Sequence, residues 1–405
     1  MSIKPLIIGA GVAGPAVALT LKRLGMNPKI FEAAAGVSTG GFAVGISPNG
    51  LAALKAMDTL DLVTKNGHPI ASVTNRLPDG SVLASLSTYG SECTARYGNT
   101  QIAIRRAVLL DGLTQRAKDA GVQFQYNKQL VAISESHADG GGSVTATFAD
   151  GTSETGDLLI ACDGLRSFAR SYVCGEQDQA PVYTGAVNYY GNASFPDDAT
   201  APPDPNLVMT SADGWMWGQY KTSSTRNEYT WWAAHRAPPE PESWKTTASE
   251  QHHELLKREL AHWGPLTHAM LDHTTSVAAF GLYNRPPTAR WSRGRVLLVG
   301  DAVHPMTPNI GQGANCALED AVVLAKCLAR YPDYNAAFAR FEALRKERTA
   351  RIVADAARVN ATSYVTNPLA SWVLRQVTKV LLGMPSAFFT VFEHPYSYDA
   401  GTVEA

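Results

Sequence analysis

Cysteine is scarce and shows no pairing pattern. The 405-residue chain has five, Cys93, Cys162, Cys174, Cys316 and Cys327, an odd number without a Cys-x-x-Cys pair. Neither a disulfide framework nor a zinc knuckle is expected, no metal site is expected, and a reducing cytoplasmic setting fits. An excess of one charge is also missing. Lys plus Arg number 35 and Asp plus Glu 36, a net charge of −1, which gives nothing to a nucleic-acid binder that works through bulk charge. No apolar run reaches 18 residues, so no spanning helix is expected. Pro5–Ala10 leads straight into a glycine turn where a secretory leader would need an apolar core. The chain is 45% hydrophobic and 18% charged, as an ordinary globular protein is and a disordered one is not. Its length suggests two or three domains and a core that needs no staples.

What is present starts with Leu6-Ile7-Ile8, a short apolar run that reads as a buried parallel strand. Gly9-Ala10-Gly11-Val12-Ala13-Gly14 follows, then Ala16, Val17, Leu21 and Leu24 at helical spacing, stopped by Gly25. Pro28–Glu32 reads as a second strand with an acid at its tip. In this pattern Gly9 permits a tight turn, Gly11 admits a pyrophosphate and Gly14 lets helix and strand touch. The helix N-terminus faces the phosphates and Glu32 suits the hydroxyls of a ribose. Strand, turn, helix, strand and acid occur at the right distances, so a dinucleotide is expected. The motif does not separate NAD from FAD.

Residues 40–50 form a glycine-rich loop, followed by a helix over about Leu51–Met57. Residues 70–90 alternate around Pro78-Asp79-Gly80 as a hairpin does. Val122–Tyr126, Leu130–Ser134 and Val144–Phe148 read as strands, with a turn at Gly140-Gly141-Gly142, and Asp157–Ala161 is a buried strand ending in Asp163-Gly164. From about residue 178 to 285 the chain turns rich in Tyr, Trp and Pro and holds six of the eight tryptophans. Val187–Tyr190, Trp215–Tyr220 and Tyr229–His235 read there as an antiparallel sheet, Pro238–Pro241 as a linker and Ser249–His262 as a charged helix. A third buried run, Arg295–Val299, precedes Gly300-Asp301 and the loop Met306–Asn315, which opens a helix. An acid at the end of a parallel strand suits a ribityl hydroxyl, and Gly311 and Gly313 expose N–H groups to negative charge.

Gly9-x-Gly11-x-x-Gly14, Asp163-Gly164 and Gly300-Asp301, in this order, resemble the single-component FAD-dependent aromatic hydroxylases of the para-hydroxybenzoate hydroxylase-like group, the group A flavoprotein monooxygenases. The resemblance covers about residues 1–350. It implies an α/β fold: a Rossmann-like FAD-binding domain with an inserted mixed β-sheet substrate domain and C-terminal helices. The FAD domain would occupy 1–70, 96–177 and 286–350, the substrate domain 71–95 (a hairpin) and 178–285, and the helical region 351–405. The family's Arg-x-x-Leu-x-x-x-Leu pattern falls on Arg106, Leu109 and Leu113 and implies that Arg106, rather than Arg105, contacts the flavin. The implied cofactor contacts are Gly9, Gly11, Ala13, Gly14, Glu32, Gly41, Ala43, Arg106, Asp163, Asp301, Gly311, Gly313, Ala314 and Asn315. FAD is expected to be non-covalent. No second strand–GxGxxG–helix unit occurs in the sequence, so NADPH or NADH is expected to dock transiently.

The resemblance implies insertion of one oxygen from O₂ into an aromatic or polycyclic small molecule by way of a flavin C4a-hydroperoxide. Flavin carries the chemistry that side chains cannot, and the protein holds the ring and excludes water. Tyr190 stands where relatives often carry an arginine that grips an anionic substrate, which shifts the expectation toward a neutral one. Tyr190 and Tyr220 are the candidate substrate contacts. Trp217 and Trp231 either wall an aromatic pocket or pack in the core. His304 reads as structural, Cys316 as core and Arg340–Arg351 as a solvated helix face. A dehydrogenase, a halogenase (Trp215-Met216-Trp217 is part of such a signature) and a non-catalytic flavoprotein are the rival readings. The apolar stretch Leu369–Phe392, broken by Arg375, Lys379 and Pro385, is expected to pack on the body or at a dimer contact, with an interfacial membrane helix as the alternative. A soluble cytoplasmic monomer or homodimer, without membrane or nucleic-acid association, is expected.

Overall fold

The computed structural model describes residues 3–37, 41–136, 142–196, 203–238 and 247–405. The three buried apolar runs come together in one six-stranded sheet. Its order is Ser292–Arg293, Val296–Leu298, Leu158–Ala161, Pro5–Ile8, Lys29–Phe31 and Gln123–Gln125, parallel throughout except for the first pair. Pro5–Ile8 and Leu158–Ala161 are buried at every position, as strands covered on both faces must be. The helices Ala13–Arg23 and Gly313–Arg330 pack on each other beside this sheet.

Two glycines make this joint possible. Gly9 has φ +100°, and a Cβ there would lie 2.4 Å from the Cys162 carbonyl oxygen. A Cβ on Gly14 would lie 2.0 Å from the Gly9 carbonyl oxygen, so the fingerprint helix touches the preceding strand backbone to backbone.

The aromatic region forms a seven-stranded sheet in the order Thr274–Asn284, Val182–Ser194, Glu228–Arg236, Trp215–Lys221, Leu207–Ala212, Val73–Arg76 and Val82–Leu86. The expected hairpin is its last two strands, joined to the rest by a parallel pairing of Leu207 with Val73. The two faces of the sheet differ. On one, Trp217 and Trp231 stack with ring centroids 4.9 Å apart in a core shared with Leu256, Leu260 and Met270 under the helices Ser249–Glu259 and Pro265–Asp272. Of the two readings of these tryptophans, core packing is the one observed. The other face carries Tyr190, Trp232, Met216 and Tyr220 and meets Phe42, where Tyr190 packs on its ring.

The structure corrects several local expectations. The helix expected from Leu51 starts at Pro48, because Ser47 is extended and proline suits the first turn. The strand around Tyr190 runs over Val182–Ser194. Most of the Gly140–Gly142 turn and of the Pro238–Pro241 linker lies outside the described residues. The stretch Arg340–Arg351 is not a wholly solvated face: Arg345 and Arg348 are buried within the helix Tyr334–Thr362. The C-terminal stretch forms two helices, Pro368–Gly383 and Pro385–Tyr396.

Because the Gly14 contact is backbone on backbone, no side chain can yield to an added methyl. Gly14→Ala is expected to cost about 1–3 kcal/mol, as overpacking does, and to lower the thermal midpoint. An unchanged midpoint would show that helix and strand can part without penalty.

Candidate cofactor and substrate site

At the nucleotide end, Glu32 anchors the glycine turn. Its carboxylate accepts from the Ala10 N–H at 2.6 Å and the Ala34 N–H at 2.8 Å. Gly11 has nothing within 4 Å of where a Cβ would stand, so the turn opens outward there. The helix Ala13–Arg23 has no side-chain cap and no acid in its first turn, which leaves its N–H groups for an anion. Asp163 sits against this turn, its Cα 3.2 Å from a Cβ placed on Gly9. One of its oxygens accepts from Ala169 N–H at 3.2 Å. The other, Oδ1, is buried without a partner, and burial pushes the carboxyl up. An orphaned acceptor beside open N–H groups suits a ligand that brings both hydroxyls and phosphates.

At the other end, Asp301 projects from the turn Gly300–Ala302 with its residue exposed. Protein crowding on its remaining sides pushes its carboxyl up, against the pull of His304 and Arg106. Asp301 Oδ1 lies 3.8 Å from a Cβ placed on Gly313, and a Cβ on Gly300 would meet Ala13 at 3.3 Å. The first and third motifs therefore touch. Gly311 has φ +64°, and the helix Gly313–Arg330 starts without a side-chain cap, so Gly313 and Ala314 present N–H groups. Arg106 opens the helix Arg106–Asp119, and its guanidinium lies 3.8 Å from a Cβ placed on Gly41. Its charge acts on both Asp301 and Tyr190. Arg105 points elsewhere, to Glu228 at 3.4 Å. Ala43 is buried in the strand Ala43–Ile46, opposite Arg105.

Asn315 stands apart from the other expected contacts. Its Nδ2 donates to the Gly45 carbonyl at 3.1 Å and the Gly311 carbonyl at 2.7 Å, and its Oδ1 accepts from Ser47 N–H at 3.0 Å. The side chain is consumed by protein and ties the glycine-rich loop to the start of the helix from behind.

The sequence reading missed what supports this end. Asp320, fully buried, accepts from Gly300 N–H at 3.0 Å, His304 Nε2 at 2.7 Å and Arg345 Nε at 2.7 Å. Its neighbour Glu319 pairs with Arg345 at 2.6 Å and Arg348 at 2.7 Å, and accepts from Asn49 Nδ2 at 2.6 Å. Burial opposes charge on both carboxyls, but the arginines, with His304 for Asp320, outweigh it and hold both below their ordinary range. His304 is spent on the buried Asp320, which fits the structural reading. The available signal was a Glu-Asp pair in the middle of an apolar helix, with two arginines three apart on the next.

On the sheet face toward this site, Tyr190 packs edge-on against Phe42 at 4.8 Å and Phe280 at 5.4 Å. Cross-strand pairing puts Tyr190, Trp232 and Gly218 in one row. A Cβ on Gly218 would lie 2.0 Å from the Trp232 ring, so the glycine lets the indole lie flat on the sheet. Tyr220 is two residues further on, 5.3 Å from Trp232, in a wall with Leu382, Phe388 and Phe389 of the C-terminal helices. Tyr190 and Tyr220 are about 12 Å apart, Cα to Cα, from ordinary strand spacing and rise. Neither hydroxyl has a hydrogen-bond partner among the described residues, and burial raises both phenols, so both remain neutral donors. Asn192 Nδ2 donates to the Gly41 carbonyl at 3.4 Å and couples this face to the loop.

The sequence matches the FAD binding domain family over residues 2–358. The chain belongs to that family. It is 30% identical over 381 residues to the aurachin C monooxygenase/isomerase of Stigmatella aurantiaca, covering 93% of this chain and 94% of that one. It is 32% identical over 355 residues to the FAD-dependent urate hydroxylase of Klebsiella pneumoniae, covering 87% and 88%. The structure of Klebsiella pneumoniae HpxO complexed with FAD and uric acid superposes with a TM-score of 0.82 at 27% identity, covering 93% of this chain and 92% of that chain. This family member is thus an FAD-dependent monooxygenase, and FAD is its cofactor.

Two predictions follow from the geometry. Asp301→Ala is expected to weaken FAD binding roughly 10–100-fold, since a charge-assisted hydrogen bond to a hydroxyl is worth about 1.5–3 kcal/mol. Titration of the apoprotein with FAD measures it, and unchanged affinity would show that Asp301 does not touch the cofactor. The second concerns acid. Glu319 and Asp320 have lowered folded-state values, so their stabilisation is complete above their ordinary values of 4.5 and 3.8. It is lost as pH falls through the lowered values. Stability in denaturant melts should fall below about pH 4, and by less in Asp320→Asn, which starts out less stable.

Proposed function

We propose that this flavoprotein takes electrons from NADPH or NADH and inserts one atom of O₂ into a neutral aromatic or polycyclic molecule lying against the Tyr190 face. The observation that carries this reading is the meeting of the Phe42–Tyr190–Phe280 aromatic stack with Gly41, Arg106, Asp301 and Gly313 at one place. The relatives' names set the reaction type and their substrates are aromatic. Among the described residues, Arg106 is the cation whose charge acts on Tyr190, and it also acts on Asp301, which favours an uncharged substrate.

FAD, when bound, supplies hydride acceptance and the activation of dioxygen. The chain's own residues do the rest. The open N–H groups at Gly11 and the helix Ala13–Arg23 receive the pyrophosphate, with Asp163 beside them. Asp301 accepts from a ribityl hydroxyl, and the N–H groups at Gly313 and Ala314 favour negative charge next to it. Arg106 lies between this end and the substrate face. Tyr190 offers its unpartnered hydroxyl to a substrate oxygen, and Tyr220 offers a second donor far enough away that one small ring cannot reach both. Phe42, Phe280 and Trp232 exclude water around the reacting carbon. The reductant has no second dinucleotide unit among the described residues, so it docks transiently.

The halogenase reading loses its sequence support. Trp217 is buried against Trp231 on the face away from this site, and Trp215 stacks on His235 at 4.0 Å.

Mass analysis of products formed under ¹⁸O₂ from a panel of phenols, quinones and fused-ring heteroaromatics is expected to show one labelled oxygen. Oxidised product without label would establish a dehydrogenase, and a chloride-dependent product a halogenase. Tyr190→Phe is expected to weaken substrate binding roughly three- to tenfold, the worth of one neutral hydrogen bond, at unchanged FAD content. Unaltered substrate binding would remove Tyr190 from the contact set.

A further inference from the structure

The helix Pro368–Gly383 presents the wrong side to solvent. Leu369 is 71% exposed, Trp372 59%, Val373 47%, Val377 47%, Val380 55% and, just past its end, Met384 52%. At 100° per residue these positions fall within one arc. The opposite side carries Ser371, Thr378 and Leu382, and only Leu382 is buried. That inner side rests on the strand Val82–Leu86 and on the helix Pro385–Tyr396. The helix is well formed in its own right: Asn367 caps it by accepting from the Leu369 and Ala370 N–H groups at 3.0 and 3.1 Å. Its exposed apolar arc is therefore not a frayed end: the helix packs on the body, as the sequence suggests, through its inner side alone, and the outer arc is left uncovered.

We propose that this outer face lies on an anionic lipid surface. Charge decides between occupants. From residue 356 to residue 392 the chain has no Asp or Glu, but it has Arg358, Arg375 and Lys379. Lys379 is exposed at the edge of the arc and Arg375 lies behind it. An apolar face that carries a tryptophan and has an exposed lysine at its edge suits an interfacial helix. A second copy of the helix would bring the same cations together with no acid on it to meet them. The area is also small. A helix of 16 residues is about 24 Å long and about 10 Å wide, so one face offers well under the roughly 800 Å² per partner of a stable pair. No described helix is long and apolar enough to cross a membrane, so the contact is peripheral. The proposal does not depend on the reaction assigned above.

Flotation of the FAD-loaded full chain tests it, with phosphatidylglycerol–phosphatidylcholine vesicles against phosphatidylcholine alone. Co-flotation is expected with the anionic vesicles, less with the neutral ones, and less at high salt. The combined variant Val373→Ser, Val377→Ser, Val380→Ser is expected to lose roughly tenfold or more of the vesicle binding. Lys379→Glu, which leaves the apolar arc intact, should weaken binding to anionic vesicles alone and covers the case in which the triple variant fails to hold FAD. Absence of co-flotation of the parent chain, or co-flotation untouched by both variants, overturns the proposal. A dimer that the triple variant dissociates, without vesicle binding by the parent, assigns the face to a second copy instead.

Discussion

The Asp320 carboxylate holds the cofactor loop in place. It is completely buried and uses its two oxygens on Gly300 N–H, His304 Nε2 and Arg345 Nε. The first of these bonds fixes a residue at φ +63°, just before Asp301. The third ties the loop to the long helix Tyr334–Thr362. Burying two acids and two arginines costs desolvation, and such clusters rarely beat an apolar core of the same shape. What the cluster offers is direction. With two carboxylates against two guanidiniums it is close to neutral, and Tyr398 from the C-terminal segment closes over both arginines, 4.0 Å from Arg348 and 5.2 Å from Arg345. Removing one member strands the others as unpaired buried charge, at about 3–5 kcal/mol. The Gly300–Asp301 turn is therefore held by a network that reaches the end of the chain.

The seven-stranded sheet separates its duties by a second device. Gly191 and Gly218 are strand glycines, which weaken a sheet unless something needs the space. A Cβ on Gly191 would lie 2.6 Å from the Trp231 ring, and one on Gly218 would lie 2.0 Å from the Trp232 ring. The two tryptophans are adjacent in sequence and point to opposite faces. Trp231 is pressed flat into the helix-covered core, and Trp232 is pressed flat toward the substrate side. Each glycine removes the one side chain that would tilt its ring. The sheet thus has a closed face that supplies stability and an open face lined by rings whose positions are set by that stability.

The sequence made the cofactor side legible because its demands are local. Gly9, Gly14 and Gly311 each answer to a backbone contact or a positive φ within a few residues, and strand–turn–helix periodicity frames them. Glu32 was correctly expected at the strand tip, yet its role toward the Ala10 and Ala34 N–H groups follows from a loop path that spacing does not specify. The rest was illegible for a common reason. Arg345 and Arg348 look like part of a mixed-charge solvated helix, because their partners Glu319 and Asp320 lie on another helix. Trp217 and Trp231 alternate correctly for a strand, but alternation gives two faces without saying which one meets the cofactor. Asn315 sits at a helix start like a ligand contact, and only the position of Gly45, 270 residues earlier, shows that its amide is spent on the protein.

The open face also bears on the kind of molecule it receives. Tyr190 and Tyr220 are two donors there without a protein partner among the described residues, about 12 Å apart, and Trp232 and the strand at Gly218 lie between them. Under the proposed reading, a monocyclic acid would reach one phenol, meet Arg106 there with its charge shared with Asp301, and leave the second donor without a substrate partner. A wider neutral ring system, as proposed, would satisfy both donors and cover the indole. The wall that holds Tyr220 is built partly from Leu382, Phe388 and Phe389, side chains of the two C-terminal helices. The helix Pro368–Gly383 thus turns its one buried side chain, Leu382, toward the Tyr220 cluster and its exposed apolar arc the other way.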